Sequence, residues 1–234
     1  LRADARTHLY DLEEYAPALP VEVDVIHPAS ERDYAAQPIR IFVTTHKEVN
    51  RFHSDILQPV QVGFARPRKR FPWALQDDAG ENISDRNAMY CELTTQYWAW
   101  KNVDAEYYGF CHYRRYFDFT SDWHEENPYG EVMDNFIDWD SQKRYGLDDK
   151  TMASVIEGCD VITTGVNDMS AFPEHYSDPL DHYARAPHLR LIDLTHTMDL
   201  VCEMHPDYAE DVASFLSGHR ACFCNMFIMR KELF

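Results

Sequence analysis

Apolar and polar positions alternate between two periods along the chain. Ile39-Arg40-Ile41-Phe42-Val43 is a β-branched run that ends in Thr44-Thr45-His46-Lys47, which predicts a strand opening into a polar loop. Tyr107-Tyr108-Gly109-Phe110-Cys111-His112 carries apolar side chains on both parities and predicts a central strand buried on both faces. Cys159 to Thr164 and Ala221 to Met229 predict two further strands, and Val21 to Ile26 alternates like a short half-buried one. Residues 1–20 are polar with helical spacing. Ala88 to Val103 predicts a helix capped by Ser84 or Asn87. Its Tyr90, Tyr97, Trp98 and Trp100 are too many for one stripe, so it is expected to be buried on more than one side, with both tryptophans in the core. Residues 131–158 read as polar helix, and Leu189 to Met204 carries a helical apolar spacing. Pro206 suits the first turn of a helix that runs to about Leu216. His27 to Pro38 and the stretch from Phe52 to Asp85 read as loops, as does the His- and Tyr-rich segment around Pro173, Pro179 and Pro187. Strands that alternate with helices imply an α/β fold with a mainly parallel sheet.

Composition narrows the function classes. The 234 residues include 40 acidic and 22 basic side chains, a formal charge of −18, and 45% hydrophobic residues. That is too apolar for a disordered chain, and too acidic for a nucleic-acid binder, which needs a basic face for phosphates. No stretch approaches the ~20 apolar residues that span a bilayer, and the opening Leu-Arg-Ala-Asp-Ala-Arg is not patterned as a signal peptide. A cytoplasmic protein is the expectation. The six cysteines lie in segments predicted as helix or strand and read as reduced, core-filling thiols.

Against this acidity two basic groups stand out. Arg66, Arg68, Lys69 and Arg70 are either a solvated run or a site for an anionic ligand. His112, Arg114 and Arg115 cluster at a strand end, where they either pair with surplus carboxylates or meet an anion. Phosphate-loop, dinucleotide, nucleophile-elbow and zincin motifs are all absent. Asp138-Trp139-Asp140 has the D-x-D form that can hold a divalent ion on a sugar-nucleotide diphosphate, but its surroundings read as helix. His175, His182, His188 and His196 lack metal spacing, because the prolines around the first two are expected to forbid a helix there. His219, Cys222 and Cys224 lack a fourth ligand.

Longer strings carry a resemblance. Gln58-Pro59-Val60-Gln61-Val62-Gly63, Asp77 to Ser84, Asn87 to Asn102 (NAMYCELTTQYWAWKN), Tyr108 to Phe117 (YGFCHYRRYF) and Asn225 to Phe234 resemble one bacterial family. It is the glycosyltransferase-like family catalogued as a domain of unknown function in capsule, exopolysaccharide and lipopolysaccharide gene clusters. The resemblance covers Ile39 to Phe234 and implies a GT-A-like (Rossmann-like) sheet flanked by helices. Residues 1–38 are then an N-terminal appendage or the end of a neighbouring module, and 39–234 a domain truncated at its C-terminus. Where the family usually has G-D-N-I-S, this chain has Gly80-Glu81-Asn82-Ile83-Ser84.

What the resemblance implies is transfer of a hexose from a nucleotide sugar to a growing surface polysaccharide or glycolipid, with inversion. A UDP-sugar is favoured, and UDP-galactofuranose is included because some members are thought to transfer that sugar. His112, Arg114 and Arg115 occupy the slot where GT-A enzymes carry a D-x-D, so fixed cations stand in for manganese or magnesium at the departing diphosphate. Asp193, then Glu92 and Asp199, are the candidate bases for the acceptor hydroxyl. Thr45 and His46 are expected at the base or ribose, Asp77, Asp78 and Asn82 at ribose or sugar hydroxyls, and His188 and Asn225 at the acceptor. No metal ligand pair is assigned, and a peripheral place at the inner face of a membrane fits a lipid-linked acceptor. The competing readings are a non-catalytic sugar- or nucleotide-binding module of a polysaccharide assembly complex and a His-rich metallohydrolase.

Overall fold

A computed structural model of the chain describes residues 34–63 and 69–234. The expected helix and strand within residues 1–26, nearly all of the expected appendage, and Arg66 and Arg68 lie outside the described residues.

Among the described residues eight strands form two sheets. They are β1 (Ile39–Thr45), β2 (Leu57–Gln61), β3 (Leu75–Gln76), β4 (Tyr107–His112), β5 (Val161–Thr163), β6 (Val166–Asp168), β7 (Arg220–Cys222) and β8 (Phe227–Arg230). The six-stranded sheet has the order β3-β2-β1-β4-β8-β5, and β6 pairs with β7 apart from it. Pairings from β3 to β4 are parallel, while β8 runs antiparallel to both β4 and β5. The mainly parallel α/β sheet of the sequence reading is present.

Burial explains why β1 and β4 lie at its centre. All seven residues of β1 are buried, as is β4 through Cys111, which requires cover on both faces. The two-residue period divides them: Ile39, Ile41, Val43, Tyr107 and Cys111 face one cluster, and Phe42, Tyr108 and Phe110 the other. The first is covered by Met152 and Ile156 of a helix at Asp149–Ile156. The second is covered by Trp98 and Ala99 of a helix at Leu93–Asn102. Gly109 lets these layers close, since a Cβ there would lie 2.8 Å from Ile41 Cγ1 and 3.0 Å from Ile228 Cγ1.

Among the described residues the α-helices are, in chain order, α1 (Asn87–Tyr90), α2 (Leu93–Asn102), α3 (Trp139–Arg144), α4 (Asp149–Ile156), α5 (Pro179–Arg185), α6 (Leu191–Met204) and α7 (Ala209–Ser217). The helix expected over 88–103 is therefore two, broken at Cys91, whose φ is 49°. Nor is it buried on several sides. α2 buries one face, through Thr94, Thr95, Trp98 and Ala99. Trp100 is 56% exposed, with the Lys101 ammonium 3.4 Å from its ring centroid.

The strand expected over 221–229 splits into β7 and β8 across a turn in which Cys224 has φ 69°. Cys91, Cys222 and Cys224 are exposed, so only Cys111 is the buried thiol that all six were expected to be. The His- and Tyr-rich segment does contain a helix, α5. Pro179 sits in its first turn and Asp178 caps it, accepting from the Asp181 N–H, a position where proline favours a helix. Among the described residues no helix is long and apolar enough to cross a membrane.

Candidate active site at the carboxyl edge of the sheet

The parallel strands β1, β2 and β4 end at one edge, and the strand order reverses between β1 and β4. In open α/β sheets this switch point is where ligands bind. The register pairs Thr44 with His112, and the Tyr113 N–H donates to the Thr44 carbonyl over 3.1 Å. Thr44 Oγ1 lies 3.2 Å from Thr95 Oγ1, which docks the first turn of α2 onto the same edge. Beyond β1, the exposed His46 ring meets Tyr113 edge to face at 5.4 Å.

β4 runs into a tight turn. The Arg115 N–H donates to the His112 carbonyl over 2.8 Å, and the His112 N–H donates back to the Arg115 carbonyl over 3.3 Å. The turn leaves Arg114 and Arg115 exposed, the first with its guanidinium carbon 5.3 Å from the Tyr113 ring centroid. Among the described residues neither arginine pairs with a carboxylate. Elsewhere arginines do: Arg70 with Asp78, Arg144 with Asp134, Arg185 with Asp181 and Arg230 with Asp160. In so acidic a chain, two adjacent arginines left over at a switch point concentrate positive charge at that edge.

His112 lies between these cations and a carboxylate. Its Nε2 is 3.6 Å from Glu92 Oε1, and its Nδ1 accepts the Arg114 backbone N–H at 3.4 Å. Burial is the main cause that lowers its pKa to about 4; Arg114, Arg115 and His46 lower it further, and Glu92 opposes them. His112 is thus neutral at neutral pH. Glu92 stands at the N-cap of α2 without capping it through its side chain, so its carboxylate is turned toward His112. The position is set by Asn87, whose Nδ2 donates to the Cys91 carbonyl over 2.8 Å across the break between the helices.

The loop after β3 forms an adjoining wall, and here the side chains are already engaged. Asp77 is fully buried and accepts from Ser84 Oγ at 2.6 Å and Thr94 Oγ1 at 2.7 Å. Burial raises its pKa, and the two hydroxyls partly offset that. Asp78 takes both terminal nitrogens of Arg70, so this part of the basic cluster is neutralised internally. Asn82 Nδ2 donates to the carbonyls of Gly80 (2.8 Å) and Asp78 (3.1 Å), while its Oδ1 accepts the Ser84 N–H (3.2 Å). Thr45 is buried, and its hydroxyl donates to the Lys47 carbonyl over 2.7 Å. The side chains of these four residues are all engaged in bonds within the chain.

The remaining candidates are placed less directly. Asn225 is exposed in the turn before β8. Phe227 pairs with Phe110, which brings this turn to the same edge as His112 to Arg115. Asp193 is exposed in the first turn of α6, 3.9 Å from Arg190 Nε, and Asp199 is exposed further along. His188 precedes them with φ 72°. Neither Asp193 nor His188 bonds to the cluster among the described residues. Arg51, in the loop after β1, is a cation that sequence reasoning misses. Its guanidinium lies 3.6 Å from the Trp73 ring centroid, and Trp73 in turn stacks on Phe71. Nothing in the local sequence signals that pairing across 22 residues.

A metal pair is not supplied by Asp138-Trp139-Asp140. Asp138 caps α3, accepting from the Ser141 N–H at 2.8 Å and Ser141 Oγ at 2.9 Å, while Asp140 is exposed on the helix. Among the described residues no three His, Cys, Asp or Glu side chains converge as a metal centre. A pocket of about 270 Å³ lined by Ile39, Ile56, Asp149 and Glu157 opens at the opposite, amino-terminal edge and contains none of the clustered residues.

Comparison with known proteins adds three findings. The family described as "Domain of unknown function (DUF4422)" matches residues 40–234. The apo structure of WbbM, a bifunctional glycosyltransferase, matches with a TM-score of 0.78 and 32% identity over 84% of this chain. The sheet is accordingly of the GT-A-like kind. The chain spans only about a third, 34%, of the WbbM chain. No curated protein matches.

Proposed function

The chain belongs to the DUF4422 family, and from that membership we propose that it is a glycosyltransferase moving a hexose from a nucleotide sugar to a glycan or lipid-linked glycan. A UDP-sugar is the favoured donor, UDP-galactofuranose among them, and surface polysaccharide the favoured product. Similarity to WbbM supports the reaction class. The observation that carries the proposal for this chain is the exposed pair Arg114 and Arg115 at the switch point, without a carboxylate partner among the described residues.

In the proposed reaction the acceptor hydroxyl oxygen attacks the anomeric carbon from the face opposite the diphosphate, and the configuration inverts. Glu92 takes the hydroxyl proton as the new bond forms. The bond from the anomeric carbon to the phosphate oxygen breaks, and its electron pair leaves with the diphosphate. The growing negative charge meets guanidinium groups that are protonated at every working pH and bind phosphate in a fork. Removing one such preorganised donor typically costs about 3–4 kcal/mol in the transition state. Glu92 is preferred over Asp193 because it lies beside the cluster, whereas Asp193 is 61% exposed and faces Arg190. His46 and Asn225 border the edge where donor and acceptor meet.

Release of UDP from a panel of UDP-sugars, with and without a glycan acceptor, tests the proposal. Turnover that Arg115→Ala abolishes while the fold survives supports it. Saturable binding without any turnover supports the non-catalytic module instead.

A further inference from the structure

Among the described residues His112 lies between the Glu92 carboxylate and the arginine turn, with contacts to both. Charged groups face it from every element packed around it: Glu92 from α2, His46 from the loop after β1, and Arg114 and Arg115 from its own turn. A third positive charge beside the two arginines would be repelled. The local hydrogen bonding points the same way, since the backbone N–H of Arg114 is directed at Nδ1, which leaves the ring proton on Nε2. That nitrogen faces Glu92 Oε1 across 3.6 Å, longer than a hydrogen bond. Side-chain rotation of Glu92, which is 38% exposed, closes such a gap when substrate excludes water.

We infer that His112 is a positioning residue: as a neutral imidazole held by the Arg114 backbone, it directs Nε2–H at Glu92 and aims that carboxylate at the acceptor hydroxyl. It does not serve as a third cation on the diphosphate. The division of labour separates attraction for the donor, left to the arginines, from orientation of the base. An imidazole in this role also keeps Glu92 from swinging onto the guanidinium groups, which would cancel both. The inference rests on the transferase reading for what Glu92 does, but the state of the ring is testable without it.

Two measurements decide the matter. In the wild-type chain, imidazole ¹⁵N shifts should report a neutral Nε2–H tautomer of His112 at pH 7. Its titration should come well below that of an ordinary histidine and move to still lower pH in Glu92→Gln, because Glu92 favours the charged ring. A protonated ring at pH 7, an Nδ1–H tautomer or indifference to Glu92→Gln overturns the inference. In kinetics, His112→Ala should lower kcat about tenfold or more with donor KM within about threefold. His112→Gln, which keeps a donor near Nε2, should recover most of that loss, and the His112→Ala/Glu92→Gln pair should be no worse than Glu92→Gln alone. A raised donor KM rescued by His112→Lys, or additive losses, would assign the ring to the phosphate and sink the inference. If the wild-type chain turns over no nucleotide sugar, the transferase reading fails by itself, and the NMR result still decides the ring.

Discussion

Asp77→Ala removes the anchor between the β3 loop and the helix that carries Glu92. Asp77 is fully buried, Ser84 is 2% exposed and Thr94 is 0% exposed, so water cannot replace the lost carboxylate. Ser84 Oγ–H then loses its acceptor, at a cost of about 1–3 kcal/mol. Thr94 is less affected, because its hydroxyl has a second acceptor in the Cys91 carbonyl at 3.1 Å. The expected destabilisation is about 2–3 kcal/mol in acid. It should shrink toward neutral pH for a reason of sign. The native pKa of Asp77 is raised above 3.8, chiefly by burial, so the folded protein holds this proton more tightly than the unfolded chain. That adds stability which is complete below the unfolded value and is lost as pH rises through the folded one. The wild type therefore loses an advantage on going from pH 4 to pH 7 that the variant never had. Urea unfolding at both pH values, with unchanged m-values, measures the difference. A cost under about 0.5 kcal/mol at pH 4, or one that grows toward pH 7, would refute the reasoning.

Other outcomes follow from the same geometry. His112 has the opposite linkage: its lowered pKa means stability is present above about 6.5 and lost as pH falls through about 4. His112→Gln should therefore remove about 3 kcal/mol of acid sensitivity between these values, read as the difference between two urea series. Gly109→Ala forces a Cβ to within 2.8 Å of Ile41 and should cost about 1–3 kcal/mol, seen as a lowered Tm. Cys91→Gly relieves a backbone at φ 49° and should raise stability by up to about 1 kcal/mol. Because arginines neutralise the leaving diphosphate in this account, chelation with EDTA should change turnover less than about twofold; loss of activity restored by manganese would contradict that role.

How much of this was legible in the sequence depended on how local the cause was. β1 and β4 could be read because burial on both faces puts apolar side chains on both parities, interrupted in β1 by Arg40 and ended by Thr44 and Thr45. The string from Tyr108 to Phe117 likewise marks a cationic group at a strand end, though not the turn that His112 and Arg115 close. The break at Cys91 could not be read, since neither glycine nor proline announces it and the bond that holds it comes from the Asn87 side chain. The turn at Cys224 is hidden in the same way inside an apolar stretch. Trp100 lies outside the core because an indole on a helix surface can be met by a lysine ammonium instead of by packing. Asp77, Asp78 and Asn82 looked available to a ligand because their partners are distributed through the loop and, for Asp77, 17 residues away on α2. Asp138 and Asp140 needed only the helix start at Trp139 to be understood as cap and first turn.

Arg115 is the most direct test of the account. UDP release should be followed for the wild type, Arg115→Ala and Arg115→Lys with the best UDP-sugar from the panel. The account predicts a loss of about a hundredfold or more in kcat for alanine, incomplete rescue by lysine, and unchanged urea stability in both. Turnover of the alanine variant at the wild-type rate would contradict it.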